Sequence, residues 1–280
     1  MRSKKSLHVV GVADLHVGSR VGLADPKTTP TSDAGAPIRS ALFDIWGTAT
    51  TGKWKSPDVL IVNGDAIEGP NRKGKGLGTW STEGREQIDE AVHLLRMWKA
   101  RHIYVIRGSN YHVDRDGDAA EEILAQKLKA EVYPNQEDVD RDRRVRSGWH
   151  WYLHLAGVTF HVAHHIAVSK VFHYQSTPTA RQMLQAKLND QLRHTIEKYR
   201  TDIVLRAHAH YYNTVGFSGS QGYVMPCWKG LDEFMQTKGA LDISPDIGFL
   251  AWEICDGEAR FHKELWGLQD VQPAPLSCLG

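Results

Sequence analysis

The sequence has few cysteines. Three occur among its 280 residues, they are far apart, and no two of them form a Cys-x-x-Cys pair: Cys227, Cys255 and Cys278. An odd number of scattered thiols argues against a disulfide framework and against a structural zinc knuckle, and it suits a reducing compartment.

Long apolar runs and an excess of one charge are also missing. No apolar stretch approaches the length of a transmembrane helix, and the run at residues 7–13 ends at Asp14, too early for the apolar core of a signal peptide. The net charge is +1 and the sequence pI is about 7.8, so any nucleic-acid partner would need a local basic patch. From these absences we expect a soluble, cytoplasmic protein with no membrane partner.

Histidine and tryptophan are abundant. The chain has 15 His and 9 Trp, with 41% hydrophobic and 24% charged residues, which is the balance of a globular protein. Imidazole is the commonest metal ligand, so a chain this rich in histidine has the side chains that a metal site requires. The length fits one sizeable core. We predict a single domain over residues 1–280, with residues 266–280 as a loose tail.

Buried strands alternate with amphipathic helices in the first part of the chain. Strands are predicted at residues 7–13, 58–62, 102–106, 149–155, 158–163 and 202–205. Helices are predicted at residues 38–49, from Ser81 or Thr82 to about 99, at 118–129 and at 178–199. In the last helix, apolar residues recur every fourth position from Leu184 to Ile196 and predict a core face. With short strands and Gly-rich turns after residue 211, the pattern predicts a mixed α/β fold with helices outside central sheets.

Ligand-type side chains follow the ends of five predicted strands. They are Asp14 and His16, then Asp65, then Asn110 and His112, then His164 and His165, and finally His208 and His210. Active sites of open α/β sheets gather at the carboxyl ends of strands. Carboxylates, imidazoles and an amide oxygen, with no thiolate, suit Mn²⁺, Fe or Zn²⁺ in a catalytic site.

The spacing within these segments favours a shared site. In an extended segment residues i and i+2 point to one side, so Asp14 with His16, and His208 with His210, can each present two ligands to one space. The carboxylate of Asp65 can bridge two metals. Two cations about 3.5–4 Å apart can then share a hydroxide and clamp a phosphate for in-line attack.

In this order the motifs Asp-Leu-His, Gly-Asp, a Gly-Asn-His-like segment, a strand-end His and His-Ala-His resemble the calcineurin-like metallophosphoesterase superfamily, over residues 14–210. The resemblance implies an α/β/β/α sandwich of two mixed β-sheets flanked by helices, and two divalent metal ions. Mn is the expected metal, with Fe, Zn, Ni and Mg as alternatives. By the match, one metal is held by Asp14, His16 and His210. The second metal is held by Asn110, His164 and His208, with Asp65 bridging.

The segment after the third strand departs from the family pattern. The family has His directly after Asn, whereas Tyr111 separates Asn110 from His112 here. We expect His112 to protonate the leaving group or to hold the phosphate. The sequence leaves two assignments open, since Ser109 could take the place of Asn110 and His165 could take the place of His164.

A basic segment follows Asp65. It carries Arg72, Lys73 and Lys75, and it lacks the Ser or Thr and the following helix that a P-loop requires. Two interpretations weigh about equally, a loop that contacts substrate phosphates and a solvated surface loop.

The function that these features predict is metal-dependent hydrolysis of a phosphate ester, with a phosphodiester as the first choice. The expected reaction is in-line attack of a metal-bridging hydroxide, with Asp65 and His112 as catalytic residues. A DNA or RNA nuclease is the main competing hypothesis, with the basic segment and residues 141–146 as nucleic-acid contacts. The sequence is also compatible with a phosphomonoesterase and with a non-catalytic metal-binding scaffold.

Overall fold

A computed structural model describes residues 6–70, 76–109, 112, 120–133, 145–169, 171–192, 201–217, 219–232 and 245–267. The strands are β1 (Leu7–Val12), β2 (Val59–Asn63), β3 (His102–Ile106), β4 (Ser147–Gly148), β5 (His150–Leu155), β6 (Val158–Ala163), β7 (Ile203–Arg206), β8 (Asn213–Phe217), β9 (Ser220–Val224), β10 (Ile247–Cys255) and β11 (Glu258–Trp266). The α-helices are α1 (Ala36–Thr51), α2 (Gly84–Arg96), α3 (Ala120–Leu128) and α4 (Thr177–Leu192).

The strands form two mixed sheets. The first has the order β11-β10-β1-β2-β3-β4, in which β1 to β4 run parallel and β10 is antiparallel to both β1 and β11. The second has the order β5-β6-β7-β9-β8, in which β6, β7 and β9 run parallel and the two edge strands are antiparallel. Each sheet therefore brings the carboxyl ends of neighbouring parallel strands to one edge.

Strand β1 shows how the layers are built. Because side chains alternate between the faces of a strand, Val9 and Ala13 enter the core between the two sheets, whereas Val10 and Val12 enter the core under the helices α1 to α3. Both faces are buried, which explains a nearly continuous apolar run. On the far side, α4 packs Met183 against Val204 of β7. The α/β/β/α sandwich of two mixed sheets that the resemblance implied is confirmed.

The predicted strands and helices of the first two thirds are confirmed within a few residues. The predicted N-cap of α2 is wrong: the helix begins at Gly84, and its N-cap is Glu83, without a side-chain capping bond, rather than Ser81 or Thr82. Ser81 Oγ instead accepts a hydrogen bond from the Glu83 N–H at 3.0 Å and donates to Glu86 at 2.6 Å, so it shapes the turn before the helix.

The predicted core face of the last helix is also wrong over its described residues. Leu184 is 57% exposed and Leu188 is 43% exposed, whereas Met183 and Ala186 are buried. The reason is the surface against which the helix packs. Gly222 of β9 leaves room for the side chain of Met183, since a Cβ at residue 222 would lie 2.5 Å from its sulfur. Nothing is described of residues 193–200.

The short strands predicted after residue 211 are confirmed at β8 and β9, with five residues each, but the two strands that follow are longer. β10 and β11 have nine residues each and pair along their whole length. Trp266, where the predicted tail begins, is the last residue of β11, and residues 268–280 lie outside the described part. The single domain stays a prediction. None of the helices in the described ranges is both long and apolar enough to cross a bilayer.

Candidate metal centre

The carboxyl ends of β1, β2, β3, β6 and β7 meet at one edge of the sandwich. Backbone hydrogen bonds join the segments after β1 and β2, from Asp14 N to Gly64 O (3.1 Å) and from His16 N to Asp65 O (3.0 Å). On the second sheet, Ala207 N donates to His164 O at 2.9 Å. The two sheets are joined by Asp14, whose Oδ2 accepts from the His208 N–H at 3.0 Å. The described side chains among those predicted from these strand ends therefore share one space.

Five of these residues have a backbone conformation that non-glycine residues rarely adopt. The φ angles are +51° at Asp14, +47° at His16, +48° at Asp65, +72° at His208 and +59° at His210. Within the described ranges these are half of the ten non-glycine residues with positive φ. Strain of this kind persists where the surroundings fix it, and it gathers at functional sites.

The first group of side chains comprises Asp14, His16 and His210. His16 Nε2 lies 3.1 Å from His210 Nε2 and 3.8 Å from Asp14 Oδ1, and His210 Nε2 lies 3.4 Å from the same carboxylate oxygen. These ligand atoms lie within 4.8 Å of one another, as in a site for one cation.

The second group comprises Asp65, His164 and His208. His164 Nε2 lies 3.1 Å from Asp65 Oδ2, and His208 Nδ1 lies 3.9 Å from it. His164 Nε2 is also 3.8 Å from Asp14 Oδ1, so the two groups are adjacent. Their ligand atoms too lie within 4.8 Å of one another.

Two buried ligand atoms of these groups lack a hydrogen-bond partner within the described part of the chain, Asp14 Oδ1 and His164 Nε2, and they lie 3.8 Å apart. His164 Nε2 is close to Asp65 Oδ2, but the contact does not have hydrogen-bond geometry. Burying a polar atom without a partner is costly, so such atoms call for an explanation. Two carboxylates and four imidazoles are a donor set that divalent transition metals prefer, and the residues present fit such ions.

The charged side chains of the centre shift one another's pKa values. Burial alone would raise the pKa of Asp65, but the charge of His164 and the close polar contacts with His164 and His208 hold it well below its usual range. Burial would lower the pKa of His164, yet the charges of Asp65 and Asp14 raise it to about 10. A cation bound by the same carboxylates competes with that proton, and metal affinity should therefore depend on pH.

The remaining predicted residues have different outcomes. His112 is half-buried beside His16, with ring centroids 4.7 Å apart, and its ring belongs to a group with His16 and Asp65 whose ligand atoms lie within 4.8 Å. Ser109 donates to Asp65, from N at 2.6 Å and from Oγ at 3.0 Å. His165 is exposed, so the geometry favours His164. The predicted roles of four residues stay predictions, because these residues lie outside the described part of the chain: Asn110, Arg72, Lys73 and Lys75.

Sequence reasoning missed three buried charged residues around the centre. Glu68 Oε2 accepts from His16 Nδ1 at 2.9 Å and from Lys229 Nζ at 3.1 Å. Glu121 of α3 accepts from the N–H groups of Gly108 (2.5 Å) and Ala66 (3.3 Å), which joins the segments after β2 and β3. Glu68 follows Asp65 by three residues, which is a weak signal. The positions of Glu121 and Lys229 carry no signal in the sequence.

Comparison with known proteins shows a likeness of fold alone. No protein-family model matches the sequence, and no curated protein matches it. Vps29 from Entamoeba histolytica, solved with Zn²⁺, has 13% identity and a TM-score of 0.41, and the match covers 94% of this chain and 99% of that one. A protein of Streptococcus pneumoniae TIGR4 described as a predicted phosphoesterase has 9% identity and a TM-score of 0.41, and the match covers 95% of this chain and 92% of that one. Vacuolar Protein Sorting 29 from Cryptosporidium parvum has 11% identity and a TM-score of 0.41, and the match covers 94% of this chain and 98% of that one.

TM-scores at this level carry no argument about activity. The chain's own topology and the convergence of its five strand ends agree with the resemblance to the calcineurin-like metallophosphoesterases.

Proposed function

We propose that the protein is a divalent-metal-dependent phosphoesterase, and more specifically a phosphodiesterase. The observation that carries the proposal is the set of buried, unpartnered ligand atoms where the two groups of side chains meet in the described part of the chain. Structural histidines and carboxylates of a core normally satisfy one another, whereas these two atoms face each other at 3.8 Å, one from each group. The choice of a diester over a monoester rests on the resemblance.

We expect each of the two groups of side chains to hold one cation. Asp14, His16 and His210 would hold one cation, and His164 and His208 would hold the second, with Asp65 shared. When bound, such ions act as Lewis acids on a phosphoryl oxygen and lower the pKa of water toward neutrality. The ligand role of Asn110 is part of the same proposal.

The protein's own contribution is to orient groups around the phosphate. The Ser109 N–H and hydroxyl bind the carboxylate of Asp65, at 2.6 Å to Oδ1 and 3.1 Å to Oδ2, and hold its plane. His112 donates from Nδ1 to the carbonyl oxygen of Glu68 at 2.5 Å, which fixes the ring at the rim of the centre. From there a protonated His112 would donate from Nε2 to the oxygen of the leaving group. Three basic side chains would bind the remaining phosphate charge: Arg72, Lys73 and Lys75.

Metal-stripped protein, with Mn²⁺ added back, should hydrolyse bis(p-nitrophenyl) phosphate faster than p-nitrophenyl phosphate. His164→Ala should lower the diester rate by at least about 100-fold, the scale of losing electrostatic stabilisation in a transition state. His165→Ala is the matched comparison, because it removes the adjacent and exposed imidazole. We expect a much smaller loss there.

Two kinds of result would contradict the proposal. A preference for the monoester would overturn the assignment as a phosphodiesterase. Mn²⁺ binding without hydrolysis of either ester, or equal losses in His164→Ala and His165→Ala, would overturn the proposed catalytic centre.

A further inference from the structure

Glu68 lies where the segments after β1 and β2 run side by side. Val17 and Ile67 form a parallel bridge, and the Glu68 N–H donates to Val17 O at 2.8 Å. This backbone pairing extends the register of β1 and β2 past the metal centre. The side chain of Glu68 is thereby buried directly against the ring of His16.

The carboxylate of Glu68 binds a cation and an imidazole with the same oxygen. Oε2 accepts from Lys229 Nζ at 3.1 Å and from His16 Nδ1 at 2.9 Å. Lys229 is only 5% exposed, and its ammonium also lies 2.9 Å from Asp232. An ionised carboxylate can only accept hydrogen bonds, so His16 Nδ1 must carry the hydrogen. The lone pair of His16 then lies on Nε2, the atom that faces Asp14 and His210.

Glu68 also orients a second imidazole through its main chain. Its carbonyl oxygen accepts from His112 Nδ1, and the rings of His112 and His16 meet edge to face at 81°. A single residue thus holds the Nδ1–H of both histidines and presents Nε2 on the opposite side of each ring. A carboxylate that receives the second N–H of a metal-bound histidine is a known means of fixing its tautomer and strengthening its basicity.

We propose that Glu68, paired with the buried Lys229, is a positioning residue that fixes the Nδ1–H tautomer of His16 and so sets the affinity of the centre for a divalent cation. The inference rests on the proposed function, because it requires that His16 is a ligand. Glu68 belongs to none of the groups of candidate ligand atoms found among the described residues.

The test compares Glu68→Ala, which removes the acceptor, with Glu68→Gln, which keeps an oxygen at the same reach. The metal-free proteins are labelled with ¹⁵N in histidine, and the imidazole shifts report which nitrogen of His16 is protonated. Mn²⁺ affinity is measured by equilibrium dialysis. We expect Nδ1–H in the wild type, a mixture of tautomers in Glu68→Ala, and a loss of affinity of about 10- to 100-fold, with a smaller loss in Glu68→Gln.

The matched control is Glu131→Ala. Glu131 Oε1 lies 2.8 Å from His102 Nδ1, so the pair repeats the same contact on the surface, away from the centre. This variant should change the signals of His102 alone and leave Mn²⁺ affinity unchanged. A merely structural role for Glu68 would lower the melting temperature without moving either the tautomer of His16 or the affinity.

The failures of the two proposals are distinguishable. Wild-type protein that binds no divalent cation would overturn the metal centre and, with it, this inference. Wild-type binding that Glu68→Ala leaves intact, with Nδ1–H still the tautomer of His16, would overturn the positioning role and leave the centre standing. Should Glu68→Ala not fold, the same two readouts on Glu68→Gln and Lys229→Met decide the question.

Discussion

Adding Mn²⁺ to protein from which a chelator has removed divalent cations should raise its melting temperature in two steps above that of the metal-free protein. A ligand that binds only the folded state stabilises it by about 2.7 kcal/mol at one hundred times its dissociation constant. Unfolding entropy is about 2.1 cal/mol/K per residue, so the 280 residues give about 0.6 kcal/mol/K. Each occupied site should therefore raise the melting temperature by about 5 °C, and both sites by about 9 °C.

Differential scanning calorimetry over a Mn²⁺ titration measures this directly. Asp65→Asn should lose most of both steps, because the proposed function makes Asp65 a ligand of both cations, whereas His210→Ala should lose one. Asp25→Asn is the matched control: Asp25 is a buried carboxylate that lies 3.3 Å from an imidazole nitrogen of His93, outside the centre. Equal shifts in the wild type and Asp65→Asn, or no shift in the wild type, would refute the reasoning.

Three further predictions concern stability. Arg39→Met should cost about 1–3 kcal/mol at pH 7 by urea unfolding, because it breaks a two-pronged pair in which Arg39 is buried and Asp33 is partly exposed. Arg39 holds the pKa of Asp33 below its usual range, so the cost is fully present above about pH 4 and shrinks at lower pH as Asp33 takes up a proton; a constant cost at pH 7 and pH 3 would contradict this. Met183→Ala should cost about 2–4 kcal/mol, and the neighbouring exposed Leu184→Ala less than about 0.5, in the same assay; equal costs would contradict the orientation of α4. Gly222→Ala should cost about 1–3 kcal/mol, and a double-mutant cycle should show that Met183→Ala relieves part of it.

The sequence predicted the parts of the fold that depend on local patterns. The short apolar runs at β1, β2 and β3, rich in β-branched residues, predicted strands, and Ala156 with Gly157 marked the hairpin between β5 and β6. The pattern failed at α4, because a row of leucines at helical spacing says nothing about which neighbour lies opposite. There the small residue Gly222 decides which face is buried, and it belongs to a different element, β9.

The candidate ligands could be predicted from their positions relative to the strands. Each lies at or just after a strand end, and parallel strands bring such ends to one edge whatever the details of packing. Asp14, Asp65 and His164 were therefore expected together before any contact was known. The groups that orient them were not, because Glu68 and Lys229 are 161 residues apart and neither belongs to a strand-end motif.

Several buried carboxyl groups lie close together at the edge of the sandwich that holds the candidate metal centre. Burial and the charge of Asp65 raise the pKa of Glu121 to about 7, which makes it the carboxyl group that retains its proton most readily at this edge. Asp14, Asp65 and Glu68 have lowered pKa values, and the buried Lys229 that pairs with Glu68 is shared with an aspartate.

Among the described residues and without a bound metal, the cations that offset these three buried carboxylates are a shared ammonium and a protonated His164. The described part of this edge is therefore short of positive charge. An isolated buried charge costs several kcal/mol, so a sequence that places three carboxylates together is most stable when it binds cations there.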